Sequence, residues 1–431
     1  MLYPNLDINE KGHLTMAGQD TAELAAAYQT PLLVMDEAAL RQRCRVYLQA
    51  MKEAFKEGSM PLFASKALSV KAIYRIMAEE GMGVDVASPG ELYTALKAGF
   101  PMDKVYFHGN NKTDADIRLA IDHGLGYFIC DNADELSAID REAGVREIRQ
   151  KILLRLTPGI DPHTHAKINT GRIDSKFGAA IETGQAEALV RQALSLKNVE
   201  LCGCHCHIGS QLFEHQPFCD AAVLMVHFLK EMKDRYGFTA KILNLGGGMA
   251  VPYTEKDPAI NYAENIRHIG VLVKDACARE GIEEPVILME PGRSIVADAG
   301  LPLYTVGGTK EIPGFKNYVS IDGGMTDNPR YTLYQSDYTV LPADRMHDIP
   351  DFLCTVAGRC CESGDLIQEE VMLPKPRRGD LLAVLTTGAY NFSMASNYNR
   401  VPRPALVILG KDGPYEAVRR ESLEDLIRND L

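Results

Sequence analysis

Eight short apolar, β-branched runs, each followed by an amphipathic stretch, limit what this chain can fold into more than any other feature of its sequence. They are PLFASK (61–66), GVDVAS (83–88), VYFHG (105–109), YFICD (127–131), ILLRLTP (152–158), LCGCHCHIG (201–209), ILNLGGG (242–248) and VILMEPG (286–292). Runs this short read as buried strands and the stretches between them as helices, the pattern of successive βα units. In PGELYTALKAG, Leu92, Ala95 and Leu96 fall on one face and Pro89 and Gly90 open the first turn. Crossovers between parallel strands are right-handed, so eight of them wind the sheet onto itself. The expected architecture is α/β, a closed TIM-like (β/α)8 barrel, with an open doubly wound sheet as the competing arrangement.

Two segments fall outside the repeat. PLLVMD (31–36) precedes a helix starting at residue 37 and would make a ninth barrel strand. Near residue 300 the helical period gives way to short strands with glycine turns, PLYTVGGT, NYVSIDGG, DFLCTVAG and DLLAVLTTG. These predict a separate all-β domain built from both chain ends, residues 1–36 and 301–431, leaving 37–300 to the barrel. The 431 residues exceed one ordinary core, which agrees with a two-part chain. The loop at 158–183 is long and weakly periodic, and compact domains keep such loops mainly where they serve function.

Charge and composition exclude several classes. With 46 basic against 58 acidic residues the net charge is −12, a field that repels polyanions, so no nucleic-acid partner is expected. The opening MLYPNLDINEKGHLTMAG lacks the cationic flank and apolar core of a signal peptide, and no window reaches the about 18 apolar residues of a spanning helix. A cytoplasmic protein without membrane contact is expected. In the CGCHCH patch, residues two apart in a strand stand roughly 6.6 Å apart. Thiolates bound at about 2.3 Å to one zinc would nearly touch, so the patch reads as a strand and no metal is expected.

Barrels of this kind carry catalytic groups at the C-terminal strand ends and commonly hold phosphate after strands seven and eight. Here the seventh run ends in Gly246-Gly247-Gly248 and the eighth in Gly292-Arg293. Glycines let backbone N–H groups approach an anion, and an arginine fork matches phosphate oxygens. Ser210 adds a hydroxyl after the sixth run. Lys66, Asp85, His207 and Glu290 reach the same rim. Singly, Lys66 could be a solvated charge, His207 a core histidine, and Glu290 a cap or the ion-pair partner of Arg293. Together, a phosphate cradle facing a lysine suggests pyridoxal 5'-phosphate, bound to Lys66 as a Schiff base. Glu290 would then keep the pyridine nitrogen protonated while His207 stacks on the ring.

Over residues 30 to 410 the chain resembles the diaminopimelate decarboxylases, of the alanine racemase-like, fold type III group of pyridoxal phosphate enzymes. The resemblance is carried by FASKA, GVDVAS, FHGNNK, DPHTHAKINTG with SKFG, HCHIGSQ, LNLGGG, EPGRSIVA, DGGMTDNPR, CESGD and GAYNFSMASNYN. It implies that Lys66 is the Schiff-base lysine and His207 the stacking histidine. It also implies that Ser210, Gly247, Gly248, Gly292 and Arg293 hold phosphate and substrate, and that Glu290 meets the pyridine nitrogen. In CESGD, Cys361 matches the cysteine that returns a proton and Glu362 the acid that meets the distal ammonium. Cys360 lies beside it, and the motif register favours Cys361. Arg293, Arg330 and Tyr334 match contacts to the distal carboxylate, and Tyr390 one to cofactor and substrate. Related enzymes share each site between two subunits, so a homodimer is implied.

The activity implied is decarboxylation of meso-2,6-diaminopimelate to L-lysine, the last step of lysine biosynthesis. A decarboxylase of ornithine, lysine or carboxynorspermidine is the nearest rival. Arg330 with Tyr334 argues against the simple diamine precursors, which lack a distal carboxylate. A noncatalytic pyridoxal phosphate-binding regulator would have lost Lys66 or Cys361. A racemase would prefer a weaker partner than Glu290 at the ring nitrogen. A metal-dependent hydrolase would show bound metal in place of a chromophore.

Overall fold

Each of the eight runs forms a strand: β1 (Met60–Ala64), β2 (Gly83–Val86), β3 (Val105–Phe107), β4 (Tyr127–Cys130), β5 (Gln150–Thr157), β6 (Val199–Cys206), β7 (Ile242–Asn244) and β8 (Val286–Met289). All pairings between neighbours are parallel, and β8 returns to β1 through Leu288 opposite Met60 and Met289 opposite Pro61. The ring therefore closes. The computed structural model describes residues 3–160 and 175–431. It divides into two compact units, one of residues 43–250 and 260–294, the other of residues 1–42, 251–259 and 295–431.

Helices follow the strands where the sequence supplies caps. The Ser88 hydroxyl accepts from the Glu91 N–H at 3.2 Å, Pro89 opens the helix Pro89–Ala98, and Gly99 ends it in the left-handed region. Leu92 and Ala95 are its buried face. Inside the barrel, Leu62, Tyr106, Ile129, Leu153, Cys202, Ile242 and Leu288 form one apolar layer. Each buried Leu or Ile there contributes about 1.5–3 kcal/mol. β2 contributes Gly83 instead, since a Cβ at that point would lie 2.5 Å from Leu62 Cδ2.

Side chains of one strand face recur every second residue. Two positions beyond this layer stand Asp85, His108, Asp131, Arg155, Asn244 and Glu290. The apolar floor is thus followed, toward the C-terminal strand ends, by a polar ring. In β6 a bulge at Cys202 shifts the register, leaving Gly203 opposite Leu153 and His205 opposite Arg155. That extra residue places His205 in the ring. The CGCHCH patch is accordingly mostly strand, and burial pushes the Cys202 thiol up to about 11 and that of Cys206 up to about 12.

The second unit is rich in strands. Gly300–Ile312, here β9, pairs along its first half with Leu32–Asp36 and Leu381–Val384, and along its second half with Lys316–Ile321. Leu32–Asp36 also runs parallel to Ala405–Gly410, so both chain ends meet in one sheet. Short helices, Thr21–Tyr28, Arg330–Tyr334 and Leu423–Ile427, accompany the strands. In the long loop after β5, residues 161–174 lie outside the described residues. Beyond them Ala179–Ala180 pairs with Leu156–Thr157. Among the described residues no helix is long and apolar enough to cross a membrane.

Candidate active site

Glu290 is the most heavily hydrogen-bonded carboxylate of the barrel's polar ring. Its Oε1 accepts from His108 Nε2 at 2.7 Å and from Asn244 Nδ2 at 2.7 Å, and its Oε2 accepts from His205 Nε2 at 3.1 Å. The anticipated alternative of an ion pair with Arg293 is not the arrangement found. Burial lowers His108 to about 4, with Glu290 pulling the other way, and burial also lowers His205. Both imidazoles are therefore neutral near pH 7 and serve as N–H donors. Burial alone would raise the Glu290 carboxyl, but the two histidines outweigh it and hold the group well below the usual carboxylate range.

Asp85 has the opposite character. Burial, reinforced by the Glu290 charge, pushes its carboxyl well above the usual range, with Lys66 pulling down. Two carboxyls of one ring thus have divergent proton affinities, an arrangement common where acid and base tasks are divided. Lys66 occupies the turn Ser65–Ala67 after β1 and is exposed, yet its ammonium also acts on Glu91 and His207. Burial, with Lys66 adding to it, keeps the His207 imidazole well below its ordinary value.

The loops after β7 and β8 are laced together by backbone. Glu290 N–H donates to the Gly246 carbonyl at 2.7 Å, and Gly247 N–H donates to His207 Nδ1 at 3.3 Å. A Cβ at Gly247 would fall 2.0 Å from the Glu290 carbonyl oxygen, and Gly248 holds φ +130° with the Gly209 carbonyl 2.4 Å from its missing Cβ. A Cβ at Gly292 would fall 2.8 Å from the Cβ of Ala64, two residues before Lys66. Arg293 is 5% exposed and donates from Nη2 to Ser210 Oγ at 3.0 Å. Gly247→Ala is expected to push the Glu290 main chain aside at a cost of about 1–3 kcal/mol. A lowered denaturant midpoint would register it; an unchanged midpoint would mean that the loop yields freely.

In the second unit Arg330 is buried, with its guanidinium over three rings, 5.3 Å from the centroid of Tyr334, 5.7 Å from Tyr390 and 5.9 Å from Tyr253. Its Nε donates to the Tyr338 hydroxyl at 3.1 Å and its Nη2 to Ser336 Oγ at 3.2 Å. Among the described residues no carboxylate pairs with it. Tyr390 sits at φ +64°, a region bulky residues rarely adopt. Cys361 and Glu362 are exposed on the turn before Leu366–Leu373, and Cys361 N–H donates to Asn399 Oδ1 at 2.7 Å. Cys360 is half-buried, and burial pushes its thiol up to about 11.

The sequence reading thus gathers Lys66, Asp85, His207, Ser210, Gly247, Gly248, Glu290, Gly292 and Arg293 in one unit. Arg330, Tyr334, Tyr390, Cys361 and Glu362 belong to the other. It missed His108, His205, Asn244, Arg155, Tyr253 and Tyr338 as site residues. His108 and Arg155 carried the same signal as Lys66, a polar residue in or ending an apolar run.

Residues 38–297 match the family described as "Pyridoxal-dependent decarboxylase, pyridoxal binding domain". The chain is 44% identical over 423 residues to the diaminopimelate decarboxylase of Bacillus subtilis (strain 168), covering 98% of this chain and 96% of that one. It is similar in structure to the diaminopimelate decarboxylase of M. jannaschii in co-complex with L-lysine, with TM-score 0.91, 33% identity, and coverage of 99% of this chain and 98% of that one. The lysine/ornithine decarboxylase of Vibrio vulnificus complexed with putrescine is also similar, with TM-score 0.75, 26% identity, and coverage of 90% and 97%.

Proposed function

The chain belongs to the pyridoxal-dependent decarboxylases and, within them, to the diaminopimelate decarboxylase family, and on that premise we propose that it removes CO2 from meso-2,6-diaminopimelate to leave L-lysine, the last step of lysine biosynthesis. The observation that carries the substrate assignment is Arg330, a buried cation whose described neighbours are hydroxyls and ring faces. An unpaired buried charge is costly, so this pocket favours a ligand that brings its own anion. Diaminopimelate has a distal carboxylate; ornithine and lysine do not.

The donor set of the barrel rim fits pyridoxal 5'-phosphate. Lys66 offers an amine for its aldehyde, and Glu290 an ionised acceptor for its ring nitrogen. Arg293, Ser210 and the backbone of Gly247, Gly248 and Gly292 would hold its phosphate. When bound, the group supplies an aromatic ring that takes up the electron pair left as CO2 departs. His207 would lie flat against that ring, and Asp85 and Tyr390 would complete its surroundings. Arg293, Arg330 and Tyr334 orient the substrate through its distal carboxylate, and Glu362 receives the distal ammonium. Cys361 Sγ returns a proton to the carbon that lost the carboxylate.

Cys361 and Glu362 are exposed in the single chain, which suits their delivery to the site of a second copy in a homodimer. Lys66→Ala and Cys361→Ala proteins, each inactive alone, should regain about a quarter of wild-type activity when dissociated and re-paired. About half the dimers are then mixed, and each mixed dimer holds one intact site of two. No recovery would count against shared sites. The reaction is assigned to the cytoplasm, whose reducing conditions suit ten free cysteines, with a small amino acid as the partner and neither nucleic acid nor membrane involved. The deciding assay is CO2 release from meso-diaminopimelate beside ornithine and lysine. Turnover of ornithine alone would replace the substrate proposed here.

A further inference from the structure

A carboxylate placed to meet a ring nitrogen has two possible failings: it can turn away, or it can take the proton for itself. The ring around Glu290 guards against both. His108, Asn244 and His205 come from three different strand ends and occupy both carboxylate oxygens. Asn244 cannot flip its amide freely, because its Oδ1 already accepts the Gly246 N–H at 2.9 Å, which leaves Nδ2 to Glu290. His108 is anchored by its backbone N–H, which donates to the Val86 carbonyl at 2.7 Å. The two imidazoles meet edge to face, with centroids 4.7 Å apart and planes at 71°. His205 is fully buried, and among the described residues its Nδ1 has no hydrogen-bond partner. An imidazole with Nε2 donating to a carboxylate and Nδ1 unmatched is the neutral, Nε2–H tautomer.

We propose that His108 and His205 are positioning residues: as neutral N–H donors they hold the Glu290 carboxylate ionised and in one orientation, so that a proton on the coenzyme's ring nitrogen stays on the ring. This rests on the reading of Glu290 as the ring nitrogen's partner. Three donated hydrogen bonds favour the charged form of a carboxyl, and a carboxylate that binds protons poorly does not compete for the one opposite. Neutral donors achieve this without adding a positive charge that would repel the protonated ring. Other titratable groups bear on the same cluster: Asp85 from β2, Tyr106 from β3, Asp131 at the end of β4, Arg155 from β5, Cys206 and His207 at the end of β6, and Lys66 after β1. Burial pushes the Asp85 carboxyl well above the usual range, and Glu290 is the carboxylate to which both histidines donate.

The test follows the isotope-labelled ring nitrogen of reconstituted holoenzyme by NMR from about pH 6 to about pH 8. Wild type, His108→Gln and His205→Gln, which retain a side-chain N–H, are expected to keep the nitrogen protonated throughout. The doubly substituted His108→Leu, His205→Leu protein should lose that proton at least about tenfold more readily, a fall of one pKa unit or more. A double variant that keeps the wild-type shift would overturn the proposal. Glu290→Gln separates this from the underlying reading: if it leaves the nitrogen signal unchanged, the assignment of Glu290 itself is wrong. Should the double variant not fold, the imidazole nitrogens of wild type decide the matter. Nε2–H tautomers at both positions over that range are expected, and an imidazolium or an Nδ1–H tautomer at either would refute the role.

Discussion

Lys66→Ala should give a protein that folds and melts as wild type does but whose decarboxylation of meso-diaminopimelate falls by about three orders of magnitude or more, as when a nucleophile acting within a unit is removed. The side chain is exposed in the turn after β1, so little packing is lost with it. Its loss should be chemical: the visible absorption of holoenzyme that borohydride abolishes in wild type should be missing from the variant. Retained activity would refute the proposed chemistry at its root. Retained activity with the band still present would move the covalent role to another amine.

The second large effect is expected at Arg330. Arg330→Met keeps much of the volume while removing a buried cation that has no carboxylate partner among the described residues. Replacing a desolvated charge with an apolar side chain of similar size is often neutral or stabilising. The folded protein should therefore melt no lower than wild type. Catalysis should suffer instead, because an anion buried against a cation is worth about 3–5 kcal/mol when one partner is removed. That is roughly two to three and a half orders of magnitude in kcat/KM. The loss should be confined to substrates with a distal carboxylate. Equal loss of a slow side reaction on lysine or ornithine would mean that Arg330 supports the pocket's shape and not its specificity.

Much of this is legible in the amino-acid sequence alone. The strand runs announced themselves because parallel strands in a barrel are covered on both sides and must be apolar almost throughout. Lys66, Asp85 and Glu290 stood out as charges ending or interrupting such runs. The same rule, applied to VYFHG, ILLRLTP and ILNLGGG, would have found His108, Arg155 and Asn244. His205 could not have been found that way, because strict alternation through LCGCHCH assigns it to the wrong face and only the bulge corrects the count. Tyr253 and Tyr338 were hidden for a different reason. Neither is a charge that ends or interrupts an apolar run: Tyr253 approaches Arg330 from the distant segment 251–259, and Tyr338 lies eight residues after Arg330, beyond the helix Arg330–Tyr334.

The surplus residue in β6 has a consequence for how related chains are compared. Were the bulge drawn out into regular pairing with every residue kept, the strand would bring the Cys204 thiol to the seat opposite Arg155 and turn the imidazole outward. A sulfhydryl kept protonated by its surroundings is a feeble donor, and the glutamate would lose one of its three supports. What sets the chemistry at this point is a phase, not a letter. The position worth aligning across relatives is whichever residue shares that seat in space, even where a gapless match of the strand would select its neighbour.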